Sequence, residues 1–176
     1  MWPVTELETP RLRLRRWRAD DLDAMARINA HPDVLRWIGN GSGHGRSETA
    51  AEIERFELFW REHGFGRFAV DDRATGELLG FAGMSIPTDV PEIIPAVEIG
   101  WRFKRSSWGQ GFATEAAGAA LGFAATVGLE RIVAVHVVGN DASARVMQKL
   151  GMRFELASVD TIYGLPVHVY AIDLKP

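Results

Sequence analysis

Residues 96 to 126 constrain the fold more than any other stretch of this chain. An apolar run, Ala96 to Phe103, leads through Trp108-Gly109-Gln110-Gly111 into an alanine-rich run, Phe112 to Thr126. Read in order, that is a strand, a glycine turn and a helix N-terminus. Such a unit makes an anion site, because glycine lets the backbone approach a phosphate and the free N–H groups of the first helical turn point at it. A phosphorylated cofactor is expected here. Along the helix, Ala113, Ala116, Ala117, Ala120, Leu121 and Ala124 form one stripe. Its small side chains permit close packing on a sheet, and no chemistry is assigned to them.

The type of phosphate loop can be narrowed. A P-loop requires G-x-x-x-x-G-K-[ST], and no such string occurs. A dinucleotide fingerprint requires a third glycine where Thr114 stands, and it usually opens the first strand–helix unit rather than one past mid-chain. On spacing alone, G-x-G also describes a turn softened by glycine before a helix.

The rest of the chain reads as alternating elements. Arg11 to Trp17 is a basic strand, and Asp20 or Asp21 can cap a helix carrying Leu22, Met25 and Ala26. That helix is expected to stop before Pro32 and resume over Asp33 to Trp37. Residues 38–45 contain four glycines and read as a flexible loop. Thr49 to Glu52 reads as a capping box for a helix with Ile53, Phe56 and Trp60 on one face. Arg67 to Val70 and Leu78 to Met84 read as a hairpin. Ile132 to Val138 is β-branched throughout most of its length, as a buried strand should be. A helix ending at Leu150 follows, then a hairpin of Arg153 to Tyr163 and Val167 to Leu174 through Gly164-Leu165-Pro166. The fold class is α/β: a mixed, mostly antiparallel sheet of about seven strands with about four helices, in a single domain over residues 1–176.

Composition removes several classes of function. The chain has 176 residues, 47% hydrophobic and 24% charged, ordinary for a soluble globular domain. A net charge of −3 indicates no general attraction to nucleic acid or an anionic membrane. The absence of cysteine excludes thiol catalysis and thiolate metal sites. None of the five histidines has metal-ligand spacing, so no metal is expected. No signal pattern and no apolar run of about 18 residues appears, so a cytoplasmic location is expected. The arginines between Arg11 and Arg18, close to Asp20, Asp21 and Asp23, read as a solvated face.

Three motifs in order resemble the GNAT superfamily of N-acetyltransferases. Ser106-Ser107-Trp108-Gly109-Gln110-Gly111 is similar to that family's pyrophosphate loop, [RQ]-x-x-G-x-[GA], with Ser106 in place of the leading Arg or Gln. Asn140 to Met152 resembles the N-x-x-S…K-L-G-F element of the branch that acetylates ribosomal-protein N-termini on alanine or serine. Glu8 to Leu14 resembles that branch's first strand, T-x-R-L-x-L-R. The resemblance implies an acetyl-CoA-dependent N-acetyltransferase. Its acceptor would be a primary amine, with a protein N-terminal α-amine leading and a small-molecule amine (antibiotic, polyamine or amino acid) second. A catalytically silent acyl-CoA-binding module is the reading from another class. A homodimer is left open. The implied cofactor-binding set is Trp101, Arg102, Phe103, Ser106, Trp108, Gly109, Gln110, Gly111, Phe112, Ala113, Thr114, Asn140, Ser143 and Lys149, with Asn140 on the pantetheine arm.

Acyl transfer to an amine needs a neutral amine, a stabilised oxyanion and a departing thiolate. Deprotonating an alkylammonium of pKa ~10.4 at pH 7 costs about 4–5 kcal/mol, whereas an α-amine near pKa ~8 costs about 1–1.5 kcal/mol. Glu98 is the candidate base. It is the only charge between Ala96 and Trp101, and alternation puts it on one face with Gly100 and Arg102, opposite Val97, Ile99 and Trp101. The competing reading is a surface glutamate paired with Arg102. The resemblance implies that a base here works through a water relay, and that Ser143 hydrogen-bonds the leaving thiolate. The competing reading of Ser143 is helix-start chemistry, with Asn140 or Asp141 as the cap. His136 reads as a core histidine. His168, in the last strand beside Tyr170, and His44, in the glycine loop, are lesser candidates for the acceptor site.

Overall fold

The computed structural model describes residues 6–174, so residues 1–5 and 175–176 of the expected domain lie outside the described residues. The strands are β1 (Glu6–Glu8), β2 (Leu12–Arg15), β3 (Arg67–Asp72), β4 (Leu78–Ser85), β5 (Val97–Phe103), β6 (Arg131–Val137), β7 (Arg153–Val159) and β8 (Pro166–Asp173). The α-helices are α1 (Asp21–Ala30), α2 (Pro32–Leu35), α3 (Arg46–His63), α4 (Phe112–Thr126) and α5 (Asp141–Lys149). All eight strands form one sheet in the order β1-β2-β3-β4-β5-β6-β8-β7. Every pairing is antiparallel except β5 with β6. The expected α/β architecture is present, with an edge strand and a short helix beyond the expected numbers.

Two apolar layers sandwich the sheet. On one face, Leu12, Leu14, Phe68, Val70, Ile99 and Phe103 pack against the small stripe of α4, where Ala116, Ala117, Ala120 and Ala124 are all buried. On the other face, Ala69, Leu78 and Phe81 meet Met25 and Ile28 of α1 and Ile53 and Phe56 of α3. Residues 98, 100 and 102 of β5 share this second face by strand alternation. The candidate base therefore points toward α1 and α3, away from α4.

The parallel pair positions the site. β5 and β6 are registered only at Val97–Ile132 and Glu98–Val133. Beyond Glu98 they no longer pair, and their C-terminal halves diverge. The end of β5 runs into the glycine turn and α4; the end of β6 runs into Asn140 and α5. The cleft thus has α4's N-terminus on one lip and α5's N-terminus on the other.

Several local expectations are corrected. The helix expected to start at a Thr49–Glu52 capping box starts at Arg46. The Gly45 N–H donates to Glu48 Oε2 at 2.9 Å, and the Thr49 hydroxyl donates to the Gly45 carbonyl at 2.8 Å. Glycine at the cap hid that start, and Glu52 is freed for another role. Asp20 occupies the cap of α1 without a side-chain hydrogen bond. The basic strand is not wholly solvated: Arg15 is only 5% exposed. It holds Asp21 at 2.8 Å and Asp71 at 2.6 Å, a buried guanidinium forked between two carboxylates. The last hairpin turns earlier than expected, at residues 160–165, because the Asp160 carboxylate accepts the Ile162 and Tyr163 N–H groups and closes an Asx turn.

Candidate active site

The donor lip is built from backbone. Gly109 and Gly111 stand at φ +74° and +81°, a region that side chains disfavour. None of the N–H groups from Gly109 to Thr114 finds an acceptor among the described residues. They are free donors at a glycine turn and a helix N-terminus, the backbone arrangement that suits an anion. The loop is braced from outside. Arg11 Nη1 donates to the Gln110 carbonyl at 2.8 Å, and Arg11 Nε donates to Glu115 at 2.6 Å. The Arg11 guanidinium lies 4.4 Å over the Phe112 ring. Gln110 folds back to the Ser106 carbonyl at 2.9 Å, and the Trp108 indole donates to the Phe103 carbonyl at 2.9 Å. The side chains of Trp101 and Phe103 belong to the α4-side core or pack against it.

On the other lip, Asn140 Oδ1 accepts the Ser143 N–H at 3.3 Å and caps α5. The Ser143 hydroxyl makes no hydrogen bond among the described residues, so capping belongs to Asn140 and the hydroxyl is free. Lys149 lies exposed at the far end of α5, eight residues from its start.

Glu98 lies where β5 and β6 part. Its carboxyl makes no hydrogen bond among the described residues, and part of its surface stays open. The surrounding walls are dense. Burial pushes its carboxyl up to about 7, with Asp89 adding to the rise and Arg67 opposing it. The reading of Glu98 as the partner of Arg102 is overturned. Arg102 Nη1 instead donates to Glu52 at 2.9 Å and Asn29 at 3.0 Å. His44 Nε2 sits 3.2 Å from the same Glu52 oxygen. Burial alone would raise Glu52, but His44 and Arg102 win and hold it at about 2. Arg102 is thus committed to a buried network on the α1–α3 side.

This network borders a cleft of about 280 Å3 between the glycine loop, the start of α3 and Tyr163. Ile38, His44, Glu48, Arg55 and Tyr163 line it. His44 is therefore on the wall of this cleft. His168 is not: it pairs with His136 and stacks edge-on to it at 5.4 Å, on the sheet face opposite Glu98. The sequence reading also missed Arg67, Glu52 and Asn29. Glu52 had a signal, since it shares the apolar face of α3 with Thr49 and Phe56 at helical spacing. A charge there calls for a buried partner. Arg67 had none, because its position on the face of Glu98 depends on cross-strand register. Among the described residues no group of three or more His, Cys, Asp or Glu could hold a metal ion, and no helix is long and apolar enough to cross a membrane.

Comparison with known proteins agrees with this geometry. The family described as "Acetyltransferase (GNAT) domain" matches residues 11–153. An uncharacterized N-acetyltransferase of Bacillus subtilis, YoaA, is 31% identical, over all of this chain and 99% of its own length. A GNAT-family acetyltransferase structure from Bacillus anthracis superposes with a TM-score of 0.79 at 26% identity, covering 97% of this chain and 99% of that one. The ribosomal-protein-S5-alanine acetyltransferase of Vibrio fischeri shares the fold, with a TM-score of 0.77 at 18% identity over 98% of this chain and all of that one. An open mixed sheet, a splayed parallel pair and a glycine-turned helix N-terminus are thus joined to a match over most of the sequence, and this chain belongs to the GNAT acetyltransferases, acyltransferases that use acetyl-CoA.

Proposed function

We propose that this acetyltransferase acts on a primary α-amine, such as the N-terminus of a protein or peptide, by direct transfer from acetyl-CoA. The observation that carries the reading is Glu98: a carboxyl with no hydrogen bond, part of its surface open, raised to about 7. A base of that pKa is matched to an amine near pKa ~8 and poorly matched to an alkylammonium near ~10.4. In this reading the N–H groups of Gly109 to Thr114 hold the pyrophosphate, with Ser106 and Trp108 around it, and Asn140 holds the pantetheine arm. Glu98 removes the amine proton through a water. The neutral amine attacks the thioester carbon, the C–S bond breaks, and the free Ser143 hydroxyl hydrogen-bonds the departing thiolate.

An acceptor screen that detects free coenzyme A tests this. Peptides with a free N-terminus should release thiol. The same peptides blocked at the N-terminus but carrying lysine should not. Thiol release from polyamines or lysine side chains, with none from α-amines, would overturn the assignment.

A further inference from the structure

A guanidinium that makes no ion-pair contact among the described residues lies on the same sheet face as Glu98. Arg67 begins β3, and its carbonyl accepts two indole N–H groups, from Trp17 at 2.9 Å and Trp60 at 3.0 Å. The backbone is pinned there. Arg67, Gly83 and Gly100 are successive cross-strand partners on β3, β4 and β5. The side chain crosses this row, because a β-carbon built on Gly100 would stand 3.3 Å from Arg67 Nη2. The rings of Phe56 and Phe81 lie 5.1 Å from the guanidinium carbon on either count. Nη2 donates to Ser85 Oγ at 3.1 Å, and Ser85 is the cross-strand partner of Glu98.

What is missing is an anion. Arg15 and Arg102 are also enclosed, and each holds a carboxylate. Arg67 forms no ion pair among the described residues, and its Nε is buried with no acceptor. Ser85 uses one of five N–H donors. Burying the Nε donor with no acceptor is costly, while the half-buried guanidinium keeps its outer N–H groups open to a ligand. Two indoles, two aromatic walls and a glycine row hold it in place regardless. Glu98 does not fill the role, since it reaches no hydrogen bond with Arg67.

We propose that Arg67 is an acceptor-anchoring residue that binds a carboxylate on the amine acceptor. This rests on the reading that Glu98 faces the amine. Gly100, beneath the guanidinium, and Glu98 are two residues apart, a rise of roughly 6–7 Å along the strand. An amine and a carboxylate separated by one or two carbons can place the carboxylate on Arg67 and the amine toward the water on Glu98. The carboxylate can be the α-carboxylate of a free amino acid or the side chain of an acidic first residue in a peptide.

The test compares the standard free L-amino acids with their amides, and peptide amides beginning with Asp with those beginning with Ala. In the native enzyme, carboxylate acceptors should have a kcat/KM at least about tenfold above their amides, as loss of a charge-assisted pair predicts. Arg67→Gln should raise KM for the carboxylate acceptors and abolish that preference, with the KM for acetyl-CoA unchanged. Gly100→Ala, which crowds Nη2 without removing it, should reduce the same preference in a protein that keeps its melting temperature. Glu98→Gln should slow every acceptor while leaving the preference intact, so failure of the base assignment is read separately. No preference in the native enzyme, no acetylation of any amino acid or peptide, or an equal loss for all acceptors in Arg67→Gln would overturn the proposal. Which of the two panels shows the preference identifies the source of the carboxylate.

Discussion

The two ends of the cleft are made of different materials. At the end proposed to hold acetyl-CoA the free groups are backbone N–H groups of Gly109 to Thr114, held by glycine conformations and by Arg11 braced on Gln110 and Glu115. At the end proposed to take the acceptor the groups are side chains: Glu98, Arg67 and the Arg102–Glu52–His44 network, drawn from β3, β5, α3 and the glycine loop. A backbone site recognises a charge common to every acyl-CoA and tolerates change in side chains around it, which is consistent with Ser106 standing where the family has Arg or Gln. A side-chain site is specific and sensitive to single substitutions. Damage at the first end should therefore appear in binding, and damage at the second in turnover and acceptor choice.

The largest expected effect lies at the acceptor end. Glu98→Gln should lower turnover by about 10²–10⁴-fold, the range for removing a general base, with acetyl-CoA affinity nearly unchanged. The base must be ionised, so native turnover should fall as pH drops below about 7. The loss in Glu98→Gln should shrink at high pH, where the amine is already neutral. Stability should move in the opposite sense. A carboxyl raised from 4.5 to about 7 binds its proton more tightly in the folded state, so it costs stability as pH rises across that window. Glu98→Gln should therefore melt higher than the native protein at pH 8. A pH-independent turnover loss, or none, would remove Glu98 as the base.

Next comes Ser143, on the lip between the two ends. Ser143→Ala should reduce single-turnover rate by about 10- to 1000-fold, within the range for deleting one positioned donor, with little change in acetyl-CoA binding. Because Asn140 provides the cap, Ser143→Ala should leave the melting temperature alone, whereas Asn140→Ala should cost about 1 kcal/mol of stability. A destabilised but fully active Ser143→Ala would return this residue to a helix-start role.

The smallest expected effect is at the donor end. Gly111→Val should weaken acetyl-CoA binding by at least about tenfold, near 1.4 kcal/mol, in a folded protein. A side chain there is strained at φ +81° and crowds Arg11 Nη2, 3.4 Å from the new β-carbon. Isothermal titration measures it. A folded variant with unchanged affinity would break the contrast between the two ends.

How much of this was legible follows the same division. The run from Phe112 to Thr126 is helical over the residues expected, and β4, β5 and β6 lie within two residues of their expected bounds. Those signals are local: alanine spacing, β-branched runs and glycine turns act over a few residues. The start of α3 misled because Thr49 to Glu52 imitates a capping box one turn inside the helix. Arg15 looked solvated because its partner Asp71 is 56 residues away.

Sequence alone determined the α/β order, the glycine turn that opens α4, the GNAT resemblance, and the position of Glu98 on the face with Gly100 and Arg102. Each follows from strand period, helix period or residue type at short range. Only the tertiary structure decided that β5 and β6 part after Glu98, that Arg102 belongs to Glu52, and that Arg67 crosses two strands over Gly100 with no anion to meet it. Those facts depend on register and on burial. Both arise when distant segments pack, and it is burial that raises the Glu98 carboxyl to about 7 and leaves the Arg67 Nε without an acceptor.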